Sequence, residues 1–340
     1  MPRPRPSGSP SIKDVARAAG VSAQTVSRVA NGQHNVTEAT RTRVERAMLD
    51  LGYVPNHAAR MLRNGATHTI GLMAHRFERT GEALTMGAVV AAAEEYGYSV
   101  TLTSVPDLTH ADWLGTRTRL SSQAIDALVV LRHEAATHEQ LLLPSGLPIA
   151  VADSRLVGQH PAVVSEQEAG TADLVNHLLG LGHSTVHHVS GPEDSEPAQL
   201  RQQSWRAALV QAGALVPDTI VGDWSAESGY RAGMRLVERT DVSAVFCAND
   251  EMAFGVMRAL HEAGLRVPDD ISLAGYDDIS LAGYGHVPLT TIRQDFGRIG
   301  RELVDLVLRQ IRGEELGEAD RVVVPTELVM RGSTAAPPSR

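Results

Sequence analysis

The chain has 340 residues, 43% of them hydrophobic, which is ample for a sizeable core and leaves room for a small head on a larger body of one or two lobes. A single cysteine, Cys247, excludes an internal disulfide framework and suits a reducing cytoplasm, and its apolar neighbours predict a buried, inert thiol. The net charge of −9 hides an asymmetry, because residues 1–63 hold ten Lys or Arg against four Asp or Glu while residues 64–340 hold 21 against 36.

That basic head predicts contact with a polyanion, and the acidic body discourages indiscriminate binding along it. No N-terminal apolar run suggests a signal peptide, and no stretch is apolar enough to span a membrane, so a cytoplasmic protein without a membrane partner is expected. Residues 1–10, rich in Pro, Arg and Ser, are expected to form a disordered arm.

From Ser11 the pattern becomes helical. Ser11 with Asp14 three places on makes a capping-box pattern, and Gly20 supplies the left-handed stop. A second helix follows at once, capped by Ser22, running from Ala23 to Ala30 and ending at Asn31-Gly32. Ile12, Val15, Ala16 and Ala19 can meet Val21, Val26 and Val29, which leaves Ala23, Gln24, Ser27 and Arg28 outward. Two short helices about a Gly-containing turn form a helix-turn-helix. Neither could stand alone, and Thr37 caps a third helix, Glu38 to Leu51, whose stripe of Val44, Ala47, Met48 and Leu51 closes the small core before Gly52.

The outward side has the chemistry of a major-groove reader. Gln24 matches adenine bidentately, Arg28 matches guanine, and Ala23 permits close approach or touches a thymine methyl. Ser22, Thr25 and Ser27 offer hydroxyls to phosphates, and Asn31 closes the segment. The plainer alternative is a helical hairpin with a solvated polar face.

The run Ser11 to Gly32, then Val36 to Arg41 and Leu51 to Asn56, resembles the DNA-binding head of the LacI/GalR family of bacterial repressors, and the similarity continues to about residue 333. The resemblance implies an α/β protein: helix-turn-helix head over 11–55, hinge helix and linker over 56–65, and a two-lobed type I periplasmic-binding-protein-like effector and dimerisation domain over 66–333. It places one lobe at about 66–165 and 295–323 and the other at about 166–294 and 324–333, joined by three strands, with 334–340 a flexible tail. Asn56 caps a hinge helix barely two turns long, too short to form unaided. In the family such helices pair in the minor groove with a leucine wedge, here Leu62 with Ala59 beside it. A linker helix docked on the body is the plainer reading.

From residue 66 strands alternate with helices. Thr69–Met73, Ser99–Thr103, Ala127–Leu131 and Pro148–Val151 read as buried parallel strands, with helices near 82–95, 110–121 and 137–143. A second series follows: helix 167–180 and strand Thr185–Val189, helix 198–212 and strand Thr219–Val221, helix 227–239 and strand Ala244–Cys247, helix 251–263 and strand Ile271–Gly275, then a late helix at 296–311. Such alternation predicts doubly wound sheets with ligand groups at the carboxyl ends of the strands.

By resemblance, the family's sugar-contacting Arg, Asn and Asp fall on Arg201, Asn249 and Asp277, its aromatic wall on Trp224, and a cross-lobe contact on Gln294 and Phe296. A guanidinium fork, a carboxylate, an amide and an indole face suit a polyol, though each residue alone has a structural reading as a cap or as core. The charged loop from His75 to Thr80, His75 being a further candidate, stands where a similar family member is largely apolar, which leaves the ligand's far end open.

No Gly-x-Ser-x-Gly elbow, Walker loop or His-Glu-x-x-His occurs, and His187-His188 alternate on a strand as core or surface residues would, so an enzyme is not expected and neither metal nor cofactor is called for. The reading is a homodimeric repressor of carbohydrate genes. It binds a pseudo-palindromic double-stranded operator and is released by a sugar effector, a β-galactoside or galactose-like sugar being favoured. The alternative is a co-repressor-dependent regulator whose DNA binding a metabolite tightens.

Overall fold

The computed structural model describes residues 10–30, 35–53, 66–74, 77, 79–104, 124–131, 146–152, 157–317 and 319–338. It divides into two compact units, 1–67 and 68–340. The expected arm over 1–9, the hinge helix at 57–63, the helices at 110–121 and 137–143, and the candidates Asn31, Asn56, Ala59, Leu62 and His75 lie outside the described residues.

In the first unit α1 runs Ile12–Ala19, α2 Ala23–Ala30 and α3 Glu38–Leu51. Each helix end follows from a local residue choice. Asp14 accepts from both the Ser11 amide (2.9 Å) and hydroxyl (2.6 Å), fixing the start of α1, and Gly20 turns left-handed at φ 62° to stop it. The Ser22 hydroxyl accepts the Thr25 amide at 3.1 Å, a cap for α2. Val15, Ala16, Ala19, Val26, Val29, Val44 and Ala47 form one core that joins all three helices. Three details depart from the sequence expectation. Leu51 is exposed, so the stripe of α3 ends at Met48; Ala23 packs against the core; and the Thr37 hydroxyl donates to Thr40 at 3.0 Å instead of capping a backbone amide.

The second unit begins with β1 (Thr69–Ala74), α4 (Thr80–Glu95), β2 (Ser99–Ser104), β3 (Ala127–Leu131), β4 (Ile149–Ala152) and β5 (Ala162–Ser165). It continues with α5 (Gln167–Gly180), β6 (His187–Ser190), α6 (Glu196–Gln211), β7 (Ile220–Val221), α7 (Ala226–Val237), β8 (Ala244–Cys247), α8 (Asp250–Glu262) and β9 (Ser272–Ala274). A short 3-10 turn (Ser280–Gly283), β10 (Thr291–Gln294), α9 (Phe296–Ile311), β11 (Arg321–Val324) and β12 (Thr326–Val329) complete it.

Two parallel sheets result. One has the order β11-β5-β4-β3-β1-β2, the other β7-β6-β8-β9, and β10 pairs antiparallel with β12. Strands β1, β3, β4 and β5 are continuous apolar runs because both faces are covered, as parallel sheets require. Helix α9 returns to the first sheet, its Ile299, Leu303, Val304 and Val307 packing with Ile70, Leu72 and Val129. The chain therefore passes between the sheets three times, at 165–167, 294–296 and 324–326.

β5 and the short Val-rich β11 were not among the strands expected from the sequence. The chain end is held as far as Ala335, inside the expected flexible tail over 334–340. The Ser333 hydroxyl accepts from the Thr290 amide (2.8 Å) and donates to the Leu273 carbonyl (2.6 Å), and the Ala335 carbonyl accepts from the Ser272 hydroxyl at 3.0 Å. His187 and His188 are both buried, so neither is a surface residue of its strand. Cys247 is buried, and burial pushes its thiol far up, which makes it inert.

Candidate functional site

On α2, Gln24 is exposed, while Ser27 and Arg28, three and four places on, are half-buried on the same side. The Ser22 and Thr25 hydroxyls lie 2.9 Å apart and bond to each other at the start of the helix. Ser22 thus already caps α2, and Ala23 is partly turned to the core. Gln24 and Arg28 are the side chains of this element with multi-donor or amide chemistry suited to base edges.

In the second unit three expected residues converge with one that was not expected. Arg201 from α6, Gln167 at the start of α5, Gln294 at the end of β10 and Asp277 after β9 form a closed polar ring. Arg201 Nε donates to Gln167 Oε1 (2.8 Å), Gln167 Nε2 to Gln294 Oε1 (3.3 Å), and Gln294 Nε2 to Asp277 Oδ1 (2.5 Å); Arg201 lies 3.6 Å from Asp277 Oδ1. All four are at most 7% exposed, so water contributes little and the ring must satisfy itself. Arg201 also donates to the Ala248 carbonyl, and its guanidinium lies 3.7 Å over the Tyr276 ring and 5.6 Å from the Trp224 ring.

Asn249 and Trp224 adjoin this ring. Asn249 caps α8 by accepting the Met252 amide (3.0 Å), and its Nδ2 donates to the Trp224 carbonyl and to Glu251, both at 2.9 Å. The Trp224 indole Nε1 is buried without a hydrogen-bond partner among the described residues, an arrangement that favours an incoming acceptor. Beneath the indole sits Gly191, where a Cβ would come within 2.3 Å of the ring. Phe296 is placed apart from the ring, at the head of α9 and in the core of the first sheet.

The backbone carries strain here. Among the described non-glycine residues positive φ occurs at His68, Trp224 (73°), Asp277 (109°) and Asp278 (52°), and three of these four lie in this site. Asp278 is held at its turn by ion pairs to Arg293 (2.7 Å) and Arg331 (2.6 Å). Asp250 lies behind the ring, accepting from Thr291 Oγ1 (2.6 Å) and the Ile279 amide (2.9 Å). Burial, with the charge of Asp277, raises its pKa well above the usual carboxylate range.

Sequence reasoning missed Gln167, Tyr276 and Glu251 as members of this cluster. Gln167 and Tyr276 follow strand ends by two residues and Glu251 by four, and that position is the signal that could have found them. Among the described residues no group of three or more His, Cys, Asp or Glu could hold a metal ion, and no helix is long and apolar enough to cross a membrane.

A helix-turn-helix on a small head, followed by a two-sheet body with a polar ring at its strand ends, defines a ligand-responsive DNA-binding regulator. Residues 11–56 match the family described as bacterial regulatory proteins, lacI family, and residues 175–334 match the periplasmic binding protein-like domain. The chain is 33% identical to the lactose operon repressor of Escherichia coli K12 over 332 residues, covering 96% of this chain and 91% of the repressor. It is 34% identical to the HTH-type transcriptional regulator CelR of Thermobifida fusca over 343 residues, covering 95% and 98%. Among solved structures, the lac repressor dimer bound to operator and the anti-inducer ONPF matches with a TM-score of 0.82 at 33% identity, covering 96% of this chain and 99% of that one. A CelR–cellobiose complex matches with a TM-score of 0.72 at 31% identity, covering 95% and 99%. The chain belongs to the LacI family of bacterial transcriptional regulators, and the relatives it matches are regulators, not enzymes.

Proposed function

We propose that the protein is a homodimeric repressor of carbohydrate-utilisation genes that leaves its operator when a sugar binds the body. The observation that carries this reading is the polar ring of Arg201, Gln167, Gln294 and Asp277 beside Asn249 and the Trp224 indole. It offers a rigid donor fork, a carboxylate, amides and an aromatic wall at the carboxyl ends of strands. In this reading Gln24 and Arg28 contact base edges and Ser22, Thr25, Ser27 and Asn31 line the phosphates. Asn56, Ala59 and Leu62 act in a hinge that pairs on the operator, and His75 borders the ligand. Two copies reading a pseudo-palindrome follow from the symmetry of such sites.

A β-galactoside or galactose-like sugar is the favoured effector, supported by the likeness to the lactose operon repressor; the similar CelR–cellobiose complex makes a glucose disaccharide the second candidate. The coupling is reciprocal, so operator must weaken sugar binding by the same factor as sugar weakens operator binding.

The test is to titrate purified protein on its own upstream DNA at fixed salt with galactosides, glucosides, cellobiose and purines. Release by one sugar is the expected result. Tightening by any of these compounds would move the protein to the co-repressor class, and indifference to all of them would remove the sugar reading.

A further inference from the structure

Asp277 belongs to the polar ring, yet β9 has already ended at Ala274, and Asp277 and Asp278 form a left-handed turn with φ 109° and 52°. Non-glycine residues reach that region at a cost, although Asp and Asn tolerate it better than most. Something must therefore hold the turn. The Asp277 amide donates to the Ile292 carbonyl at 2.7 Å, and the Ile279 amide to Asp250 at 2.9 Å. Between them the Asp278 amide reaches the Thr291 hydroxyl only at 3.4 Å, a weak bond.

The Asp278 side chain supplies the grip that its amide lacks. It is 8% exposed and lies between two guanidiniums, with Arg293 Nε donating to Oδ2 at 2.7 Å and Arg331 Nη2 to Oδ1 at 2.6 Å. Charge-assisted bonds of this length are strong ones. Arg331 is fixed in turn by donating to the Leu289 carbonyl at 2.8 Å, and Arg293 meets the exposed Glu327 of β12 at 3.2 Å. Arg293 and Gln294 are neighbours on β10, and alternation along the strand leaves the first exposed and the second buried. Arg293 bonds to Asp278 on the outer side and Gln294 to Asp277 on the inner side, so consecutive residues of one strand grip consecutive residues of the turn.

We infer that Asp278 is a positioning residue of the effector site: its two arginines hold the left-handed turn that presents the Asp277 carboxylate to Arg201, Gln294 and the ligand. This rests on the sugar reading above and adds to it a residue that acts through Asp277. The grip also has a direction. β10 runs into α9, which packs on the first sheet, and Arg331 lies two residues past β12, which follows β11 of that same sheet. Asp277 is therefore aimed by the strands that cross between the sheets, and ligand affinity depends on their course as well as on the second sheet.

The experiment is calorimetric titration of the full chain with galactose, lactose and cellobiose, continued in the variants with whichever binds the wild type. Asp278→Asn keeps the size of the side chain and its tolerance of the turn while removing the charge, and is expected to weaken that sugar about tenfold. Arg293→Gln is expected to weaken it about threefold, and the double variant no more than Asp278→Asn alone, because the two changes break one interaction. Glu327→Gln is the control: its carboxylate is 70% exposed and does not touch Asp278, so sugar affinity is expected to change less than about twofold. Wild-type sugar affinity in Asp278→Asn and Arg293→Gln overturns the inference while leaving the sugar reading standing. Losses that multiply in the double variant, or a loss in Glu327→Gln as large as in Arg293→Gln, also overturn it, since either shows general loosening of the strands. If none of the three sugars binds the wild type, the sugar reading fails and this inference with it. Should Asp278→Asn not fold, Arg293→Gln set against Glu327→Gln decides the matter.

Discussion

Asp277 has two jobs that a single substitution separates. Its carboxylate neutralises Arg201 and accepts from Gln294, both in a site that excludes water, and its backbone sits at φ 109°. Asp277→Ala leaves a guanidinium and an amide facing a void, and removing one partner of a buried pair typically costs about 3 kcal/mol. The variant should therefore lose about that much stability in a urea titration and lose release by sugar, while still binding operator. Loss of operator binding in protein that remains folded would make the residue structural instead. Arg28 lies at the other end of the same logic, on the half-buried outer side of α2. Arg28→Ala should relax specificity at one base pair at a cost of about 1 to 3 kcal/mol, and equal losses on all sequences would show it to be a phosphate contact.

At the scale of elements, what the sequence shows is the position of each element, and what it hides is how short polar residues pair across elements. The helices 167–180 and 296–311 and the strand Ala244–Cys247 are legible because their apolar spacing is undisturbed and their ends carry Asn, Asp or Gly. β5 and β11 escape because four-residue apolar runs lack a period, and their pairing, Ala162 to Arg321 through Ser165 to Val324, spans more than 150 residues. Ser333 to Ala335 escape for a related reason: small polar residues at a chain end read as loop until Leu273, Thr290 and Ser272 are seen beside them. Gln167 looks like an ordinary polar residue in a first helical turn, and its role depends on a partner 127 positions away.

The Trp224 loop shows how an element can be tuned without touching ligand. Gly191 follows β6, and a Cβ there would press within 2.3 Å of the indole, closer than real contacts allow. Gly191→Ala should displace the ring, weakening sugar binding about tenfold while operator affinity stays unchanged. Tryptophan fluorescence and calorimetry would check this, and a variant with wild-type sugar affinity would show that the indole takes no part in binding.

Across the whole molecule, pH should act through buried histidines more than through the many exposed ion pairs. His188 is stacked on Phe246 at 4.7 Å and lies beside Trp205. Its Nδ1 donates to the Phe246 carbonyl at 3.0 Å, and its Nε2 is buried with no partner among the described residues. A proton on Nε2 would have no acceptor, so burial, with the nearby Arg201 charge, lowers its pKa from 6.5 to about 4. The folded value is thus below the unfolded one. Stability from this group is fully present above pH 6.5 and falls as pH drops toward 4, because the unfolded chain takes up a proton that the folded chain refuses. The loss accumulates to about 3 kcal/mol at pH 4. His177, His183 and His187 are lowered in the same direction, chiefly by burial, and add to the fall. Urea titrations between pH 7.5 and 4.5 should show stability declining through this window, and His188→Asn, which retains a donor for the Phe246 carbonyl but cannot titrate, should be less stable at pH 7.5 yet decline less steeply. His188→Asn declining as steeply as the wild type from pH 6.5 to 4.5 would mean that His188 finds a proton acceptor in solution that its stacked position excludes here.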